Sequence, residues 1–209
     1  MSVAARRRAV FLDRDGVICA ERGYLHRRED FAFVPGALDG LRLLAQQGYL
    51  LTVVTNQSGI ARGYFTQDDY ADLTRHMVAE LDRAGIRLAG IRHCPHLPDA
   101  KLAAYRLACP CRKPAPGMVQ QLALALDLDL AASVLVGDKV SDIEAGRSAG
   151  VGRCMLVRTG HALRVADEVL ADGVHDDLHA CARAIISMPE RPGQSLPRHF
   201  AQPNRPCKP

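Results

Sequence analysis

Short apolar runs that alternate with segments of helical periodicity are the feature that most constrains the fold of this chain. The apolar runs have the length and composition of buried strands: the first begins at residue 9 and ends before Asp13, and the others span 50–55, 87–93, 133–136 and 151–157. Segments with helical signals lie between or after them, over 35–48, 66–84, 116–126, 141–149 and 176–187. The alternation indicates an α/β fold, a Rossmann-like three-layer sandwich with a mostly parallel sheet.

Polar residues are found where the predicted strands end. Asp13, Thr55 and Asp138 each lie at the end of an apolar run. The carboxyl ends of parallel strands meet at the edge where α/β proteins bind ligands. We therefore expect the functional site at this edge.

Charge and composition favour a single domain over residues 1–188. Residues 189–209 carry +3 of the formal net charge of +4 and six of the twelve prolines, and we predict a disordered Pro/Arg-rich tail there. The remaining charge is too small for a nucleic-acid-binding groove, and no apolar run has the length of a membrane span. Seven cysteines, three of them clustered with a histidine, are typical of metal binding in a reducing cytoplasm.

Asp13 and Asp15 form the first candidate catalytic pair. Residues i and i+2 of an extended chain face the same way, so both carboxylates can point into one site. One can attack phosphorus while the other moves a proton, as metal-assisted phosphoryl transfer requires. A turn acid with a solvated neighbour would explain the pair equally well.

Two other segments carry groups that could bind phosphate. Residues 55–58 offer hydroxyl and amide groups, and Gly59 and Gly63 follow in a predicted loop over 56–63. A polar surface loop has the same composition. In the pair Arg112-Lys113, the lysine could neutralise a phosphoryl group and the guanidinium could bind a second oxyanion or sugar hydroxyls. As an isolated dipeptide this pair would be solvated.

A second acidic cluster follows the fourth predicted strand, in Gly137-Asp138-Lys139. Together with Asp13, Asp138 could form an oxygen-rich site for Mg²⁺. Asp142 could hold Lys139 or a metal-bound water. Alternatively, it is an acid in the first turn of a helix, stabilised by the helix dipole.

Two close pairs of soft or borderline metal ligands lie between the third strand and the next helix. They are Cys94 with His96 and Cys109 with Cys111. Four such ligands are what a tetrahedral zinc site requires, although the spacing matches no zinc-finger template. Because the protein would fill all four positions, the zinc would be structural and would clamp the irregular loop 94–111.

These motifs together resemble the four motifs of the haloacid dehalogenase superfamily of phosphatases. The likeness extends to one branch, the D-glycero-D-manno-heptose 1,7-bisphosphate 7-phosphatases, and covers about residues 8–186. The segments that carry it are 11–16, 55–63, the Cys-x-His and Cys-x-Cys pairs, 111–114 and 137–139.

The resemblance implies a phosphatase that removes the 7-phosphate through an aspartyl-phosphate intermediate, in the synthesis of ADP- or GDP-heptose precursors of lipopolysaccharide. Asp13 would be the nucleophile and Asp15 the acid and base. Thr55 and Lys113 would bind the phosphoryl oxygens, and Arg112 would recognise the substrate. The positions expected to contact substrate are Asp13, Arg14, Asp15, Glu21, Arg22, Gly23, Tyr24, Thr55, Asn56, Gln57, Ser58, Arg112, Lys113 and Lys139.

The resemblance also implies the cofactors and the overall organisation. Mg²⁺ would lie on Asp13, Asp138 and the backbone of Asp15, and Zn²⁺ on the four Cys and His ligands. About 40 residues separate Asp13 from Thr55, which leaves no room for a large cap domain. We expect a cytoplasmic monomer that acts on a small phosphorylated sugar.

Three alternatives stay open. A histidinol-phosphate phosphatase of the same branch would share the motifs, and Glu21 could bind the amine of its substrate. A zinc-stabilised nucleic-acid-binding module could use the Arg-rich ends, but the chain has no tryptophan and only five Phe and five Tyr to stack on bases. An inactive interaction protein on the same scaffold would not need the catalytic motifs, all of which are present.

Overall fold

Six parallel strands form one sheet in the computed structural model, which describes residues 7–189. The strand order is β3-β2-β1-β4-β5-β6. The strands are β1 Ala9–Leu12, β2 Leu50–Asn56, β3 Leu88–Cys94, β4 Val134–Gly137, β5 Arg153–Val157 and β6 Gly173–His175. The strand order changes direction at β1, which pairs with β2 on one side and with β4 on the other. A ligand crevice is expected at such a point.

Seven α-helices connect or follow the strands of the described chain. They are α1 Ala37–Gln46, α2 Ser58–Arg62, α3 Gln67–Arg83, α4 Gly117–Leu126, α5 Val140–Ala149, α6 Val165–Glu168 and α7 Leu178–Ser187. Two short 3₁₀ helices cover Arg28–Asp30 and Ala103–Tyr105. Within the described part of the chain, no helix is long and apolar enough to cross a membrane.

The strand β1 is buried on both faces, which is why it is a continuous apolar run. Val10 and Leu12 point to the hydrophobic layer that contains Leu41 of α1. Phe11 points to the opposite layer, with Leu122 of α4. Helices thus cover both faces of the sheet, and the predicted α/β three-layer class is confirmed.

The structure differs from the prediction mainly in short elements. Residues 58–62 form the helix α2, although we predicted a loop over 56–63; Gly63, at φ +74°, ends the helix. The elements α6 and β6 were not predicted, because three or four residues are too few to show a period. No inserted cap domain lies between β1 and β2 in the described chain. The predicted tail lies, apart from Pro189, outside the described residues, so the boundary at residue 188 stays a prediction.

Candidate active site

A cavity of about 270 Å³ lies at the carboxyl edge of the sheet. The predicted site residues that line it are Asp13, Asp15, Glu21, Gly23, Tyr24, Thr55, Asn56, Gln57, Ser58, Lys113 and Lys139. Gly59, Ser141 and His161 complete the lining. The structure therefore brings most of the predicted site residues to one place.

Lys113 lies among oxygen atoms at the base of this cavity. Its Nζ is 3.0 Å from Asp13 Oδ2 and 2.5 Å from Asp142 Oδ1, and it donates a hydrogen bond to the Val54 carbonyl at 2.8 Å. Burial lowers the pKa of Lys113, but the two carboxylates outweigh burial and raise it above its ordinary value. The buried side chain is therefore a charged ammonium beside Asp13.

Asp142 is part of this charge cluster. Its side chain pairs with Lys113 instead of the Lys139 ammonium, and Oδ2 accepts a hydrogen bond from the Lys139 backbone N–H at 3.0 Å. Burial raises the pKa of Asp142 to about 6; Lys113 acts against this rise, and Asp13 adds to it. Gly137 makes room for Asp142, because a Cβ at that position would lie 2.2 Å from the Asp142 Cβ.

Asp15 is held by side chains on several sides. Arg14 donates to its two carboxylate oxygens from Nε and Nη2, each at 3.0 Å. Gln57 Nε2 donates to Asp15 Oδ2 at 2.9 Å and to Thr55 Oγ1 at the same distance. The thiol of Cys19 lies 3.5 Å from Asp15 Oδ1. These contacts fix the orientation of the carboxyl group that we expect to act as acid and base.

The side chain of Asn56 connects the end of β2 to Lys113. Its Nδ2 donates to the Lys113 carbonyl at 3.0 Å, and its Oδ1 accepts from the Lys113 N–H at 3.1 Å. Each polar atom of the amide thus has one partner in the protein, and a contact between Asn56 and substrate stays a prediction. We infer that its main task is to position Lys113.

Three predicted substrate residues are not among those that line the cavity. Arg14 is only 2% exposed and lies behind Asp15. The Arg112 guanidinium donates to the carbonyl of His96 at 3.2 Å, and Arg22 is exposed. A substrate-contacting role for these three arginines stays a prediction.

Asp138 is completely buried, and its two oxygens differ. Oδ2 accepts hydrogen bonds from the His161 backbone N–H at 2.9 Å and from His161 Nδ1 at 2.7 Å, whereas Oδ1 has no hydrogen-bond partner among residues 7–189. One ligand atom from each of Asp13, Asp138 and Asp142 lies within 4.8 Å of the others. Hard carboxylate oxygens with one unpartnered atom fit Mg²⁺.

Comparison with known proteins agrees with this geometry. Residues 110–181 match a HAD-hydrolase-like family. The chain is 44% identical over 177 residues to the D-glycero-beta-D-manno-heptose-1,7-bisphosphate 7-phosphatase of Yersinia pestis. The aligned region covers 85% of this chain and 94% of the relative. The chain is 43% identical over 186 residues to the protein of that name in Escherichia coli K12, with 89% and 97% covered. The chain belongs to the HAD-like heptose-bisphosphate phosphatase family.

The solved structures give the same result. D,D-heptose 1,7-bisphosphate phosphatase from B. bronchiseptica, crystallised with magnesium and phosphate, has a TM-score of 0.73 and 31% identity, over 86% of this chain and 98% of that chain. Members of this family are phosphoric monoester hydrolases, so the resemblance predicted from the motifs is confirmed.

The Cys and His ligands of this HAD-like phosphatase lie in a second cluster. One ligand atom from each of Cys94, His96 and Cys109 lies within 4.8 Å of the others. All four predicted ligands are buried. Cys111 Sγ accepts a hydrogen bond from Gln121 at 3.1 Å. Three of the four residues could therefore share a metal ion. That the metal is zinc and that all four residues bind it stay predictions.

Sequence reasoning missed His161 and Ser141 among the lining residues, whereas Gly59 is one of the two glycines of the predicted phosphate-binding segment. His161 follows β5 by a few residues, at the same edge as the other strand ends. The rule that located Asp13 and Asp138 would have found it, had it been applied to the fifth strand.

Proposed function

We propose that this protein is a Mg²⁺-dependent phosphatase that removes the 7-phosphate of D-glycero-β-D-manno-heptose 1,7-bisphosphate. The observation that carries the chemistry is Asp13 beside the Lys113 ammonium, with Asp15 on the wall of the same cavity. The substrate and its anomer are supported by the names of relatives at 43% and 44% identity. The reaction would serve the synthesis of heptose-nucleotide precursors of lipopolysaccharide.

In the first step the Asp13 carboxylate attacks phosphorus, and the bond between phosphorus and the sugar oxygen breaks. Asp15 donates a proton to that oxygen, so the sugar leaves as an alcohol. Water then attacks the aspartyl-phosphate, Asp15 takes its proton, and Asp13 is regenerated with release of inorganic phosphate. Arg14 and Gln57 keep Asp15 directed at the cavity through both steps.

Charge neutralisation is the main electrostatic requirement, because a carboxylate must approach a phosphate dianion. Lys113 supplies one positive charge at 3.0 Å from Asp13 Oδ2. Mg²⁺ held by Asp13, Asp138 and the backbone of Asp15 would supply the rest of the positive charge when bound. Thr55 lines the cavity and can donate its hydroxyl hydrogen to a phosphoryl oxygen.

The rest of the substrate would face the outer part of the cavity. Lys139 lines it and offers a cation to the second phosphate. Tyr24 is 42% exposed and packs edge-on against Tyr64, with ring centroids 4.7 Å apart. Glu21 also lines the cavity, and this carboxylate favours histidinol phosphate, with its amine, as the second candidate substrate.

The test is phosphate release in the presence of Mg²⁺ from the β-anomer of the bisphosphate, from the α-anomer and from histidinol phosphate. We expect kcat/KM to be highest for the β-anomer, by tenfold or more over histidinol phosphate, which corresponds to about 1.4 kcal/mol in the transition state. A preference for histidinol phosphate would replace the proposal with the second candidate. Asp13→Asn protein is the control for contaminating phosphatases.

The surroundings of the enzyme also stay proposals. We expect a monomer with a bound structural zinc, acting in the cytoplasm on a small phosphorylated sugar and on neither nucleic acid nor membranes. Light scattering and metal analysis of the purified protein test the first two expectations.

A further inference from the structure

Residues 159–161 follow β5 and have no role in the mechanism above, yet they surround the buried acid at the end of β4. His161 donates to Asp138 Oδ2 from its backbone N–H at 2.9 Å and from Nδ1 at 2.7 Å. Because an ionised carboxylate only accepts hydrogen bonds, Nδ1 is the donor in the second contact. One oxygen of Asp138 is therefore bound twice by the same residue.

Two glycines make this close approach possible. A Cβ on Gly160 would lie 2.1 Å from Asp138 Oδ2, and a Cβ on Gly16 would lie 2.6 Å from the same atom. Thr159 Oγ1 donates to the Gly16 carbonyl at 2.6 Å, which joins the two glycine segments. Both glycine segments therefore lie close to Asp138 Oδ2, and a side chain at either position would clash with this oxygen.

The other oxygen has the opposite environment. Asp138 Oδ1 is buried without a hydrogen-bond partner in the described chain, and leaving a buried charged group without a partner is unfavourable. One ligand atom of Asp13 lies within 4.8 Å of the Asp138 ligand atom. A divalent cation bound by Oδ1 would give this oxygen the partner that it lacks within the described chain.

We propose that residues 159–161 are a positioning element for the metal, with His161 as the positioning residue that holds Asp138 Oδ2 and directs Oδ1 toward the cation. This inference rests on the proposed Mg²⁺ requirement. Partners that orient a ligand from behind are general in metal sites, and their loss costs about 10- to 100-fold in metal affinity. The competing explanation is that His161, which also lines the cavity, only contacts the substrate.

The experiment measures binding of Mn²⁺ to the purified full-length protein without substrate, by electron paramagnetic resonance of the free ion, with Mg²⁺ as competitor. For His161→Ala we expect the Kd for Mn²⁺ to rise about tenfold or more. His161→Asn, whose amide can replace the Nδ1 donor, restores most of the affinity. We expect Thr159→Val to lower the affinity for Mn²⁺ less than His161→Ala does. His179→Ala, on α7 and outside the cavity lining, binds Mn²⁺ like wild type.

The outcomes separate this inference from the proposed function. Wild-type affinity in His161→Ala, with a raised KM, would show that His161 serves only the substrate and would overturn the inference alone. A wild-type protein that binds no Mn²⁺ would overturn the inference together with the proposed metal requirement. If circular dichroism shows that His161→Ala is unfolded, the Mn²⁺ affinities of His161→Asn and Thr159→Val test the inference instead. Wild-type affinity in Thr159→Val would then count against the positioning element.

Discussion

The protein holds two clusters of metal-ligating side chains, and it builds them in different ways. The carboxylates at the sheet edge follow β1 and β4 or lie in the first turn of α5, so strand register places them. The Cys and His cluster takes Cys94 from the end of β3, but its other ligands lie in a segment where one 3₁₀ turn is the regular structure described. The sheet therefore positions the carboxylate cluster. The position of the Cys and His cluster depends on its residues binding a shared metal ion.

The clusters also differ in charge balance. Asp13 and Asp142 share the ammonium of Lys113, so the sheet-edge site contains a counter-charge of its own. In the second cluster, burial raises the pKa of the Cys94 thiol to about 12. We therefore expect the carboxylate site to keep its shape without a metal ion. The loop 94–111 should need a bound metal ion to keep its conformation.

The largest expected effect is the loss of catalysis at the sheet edge. We expect Asp13→Asn to lower kcat by about 10⁴-fold or more, because the nucleophile is removed. The thermal unfolding of the variant should stay near that of wild type, because the amide is nearly isosteric. Asp39→Asn, at an exposed ion pair with Arg42, should be fully active. Turnover retained in Asp13→Asn would contradict the assignment of the nucleophile.

The second effect concerns the counter-charge. Lys113→Met leaves two buried carboxylates without their partner, and we expect a loss of about 3–5 kcal/mol in the free energy of unfolding. Urea titration measures this loss. Adding Asp142→Asn should recover part of the stability but none of the activity. If Lys113→Met is as stable as wild type, the sheet-edge site does not depend on its internal charge balance.

The third effect separates protonation of the leaving group from attack on phosphorus. Arg14→Lys loses the two-point contact with Asp15, and we expect kcat for the sugar phosphate to fall by about 10- to 100-fold. p-Nitrophenyl phosphate has a leaving group that needs no proton, so its kcat should fall much less. Arg42→Lys is the matched control. An equal loss for both substrates would assign Arg14 to general stability.

The smallest effect on chemistry belongs to the second cluster. Chelation of the proposed zinc, followed by restoration of Mg²⁺, should open the loop 94–111 and raise KM by less than about tenfold. The loop leads to Arg112 and Lys113 but contains none of the residues that line the cavity. Trypsin should then cut after Lys101 and Arg106 much faster, while cleavage after Arg83 in α3 stays the same. Unchanged cleavage in zinc-free protein would show that the loop holds itself together.

Sequence patterns predicted the parts of this protein that depend on local periodicity. The strand ends at Asp13 and Asp138 followed from apolar runs, and the helix predicted over 66–84 is α3 in the structure. Long-range side-chain direction could not be predicted in this way. Nothing local shows that Arg112 turns toward the His96 carbonyl, or that Asp142 pairs with Lys113 across the sheet edge.

The pairing of Asn56 with the backbone of Lys113 has a consequence for how this protein can vary. The Asn56 side chain donates one hydrogen bond to the Lys113 backbone and accepts one from it. This is the pattern that two paired strands form through their backbones. Lys113 does not lie in a strand, but its position is fixed by Asn56, the last residue of β2. The residues between the Cys and His ligands of the segment from Cys94 to Lys113 can therefore change in length and composition while Asn56 keeps Lys113 in place.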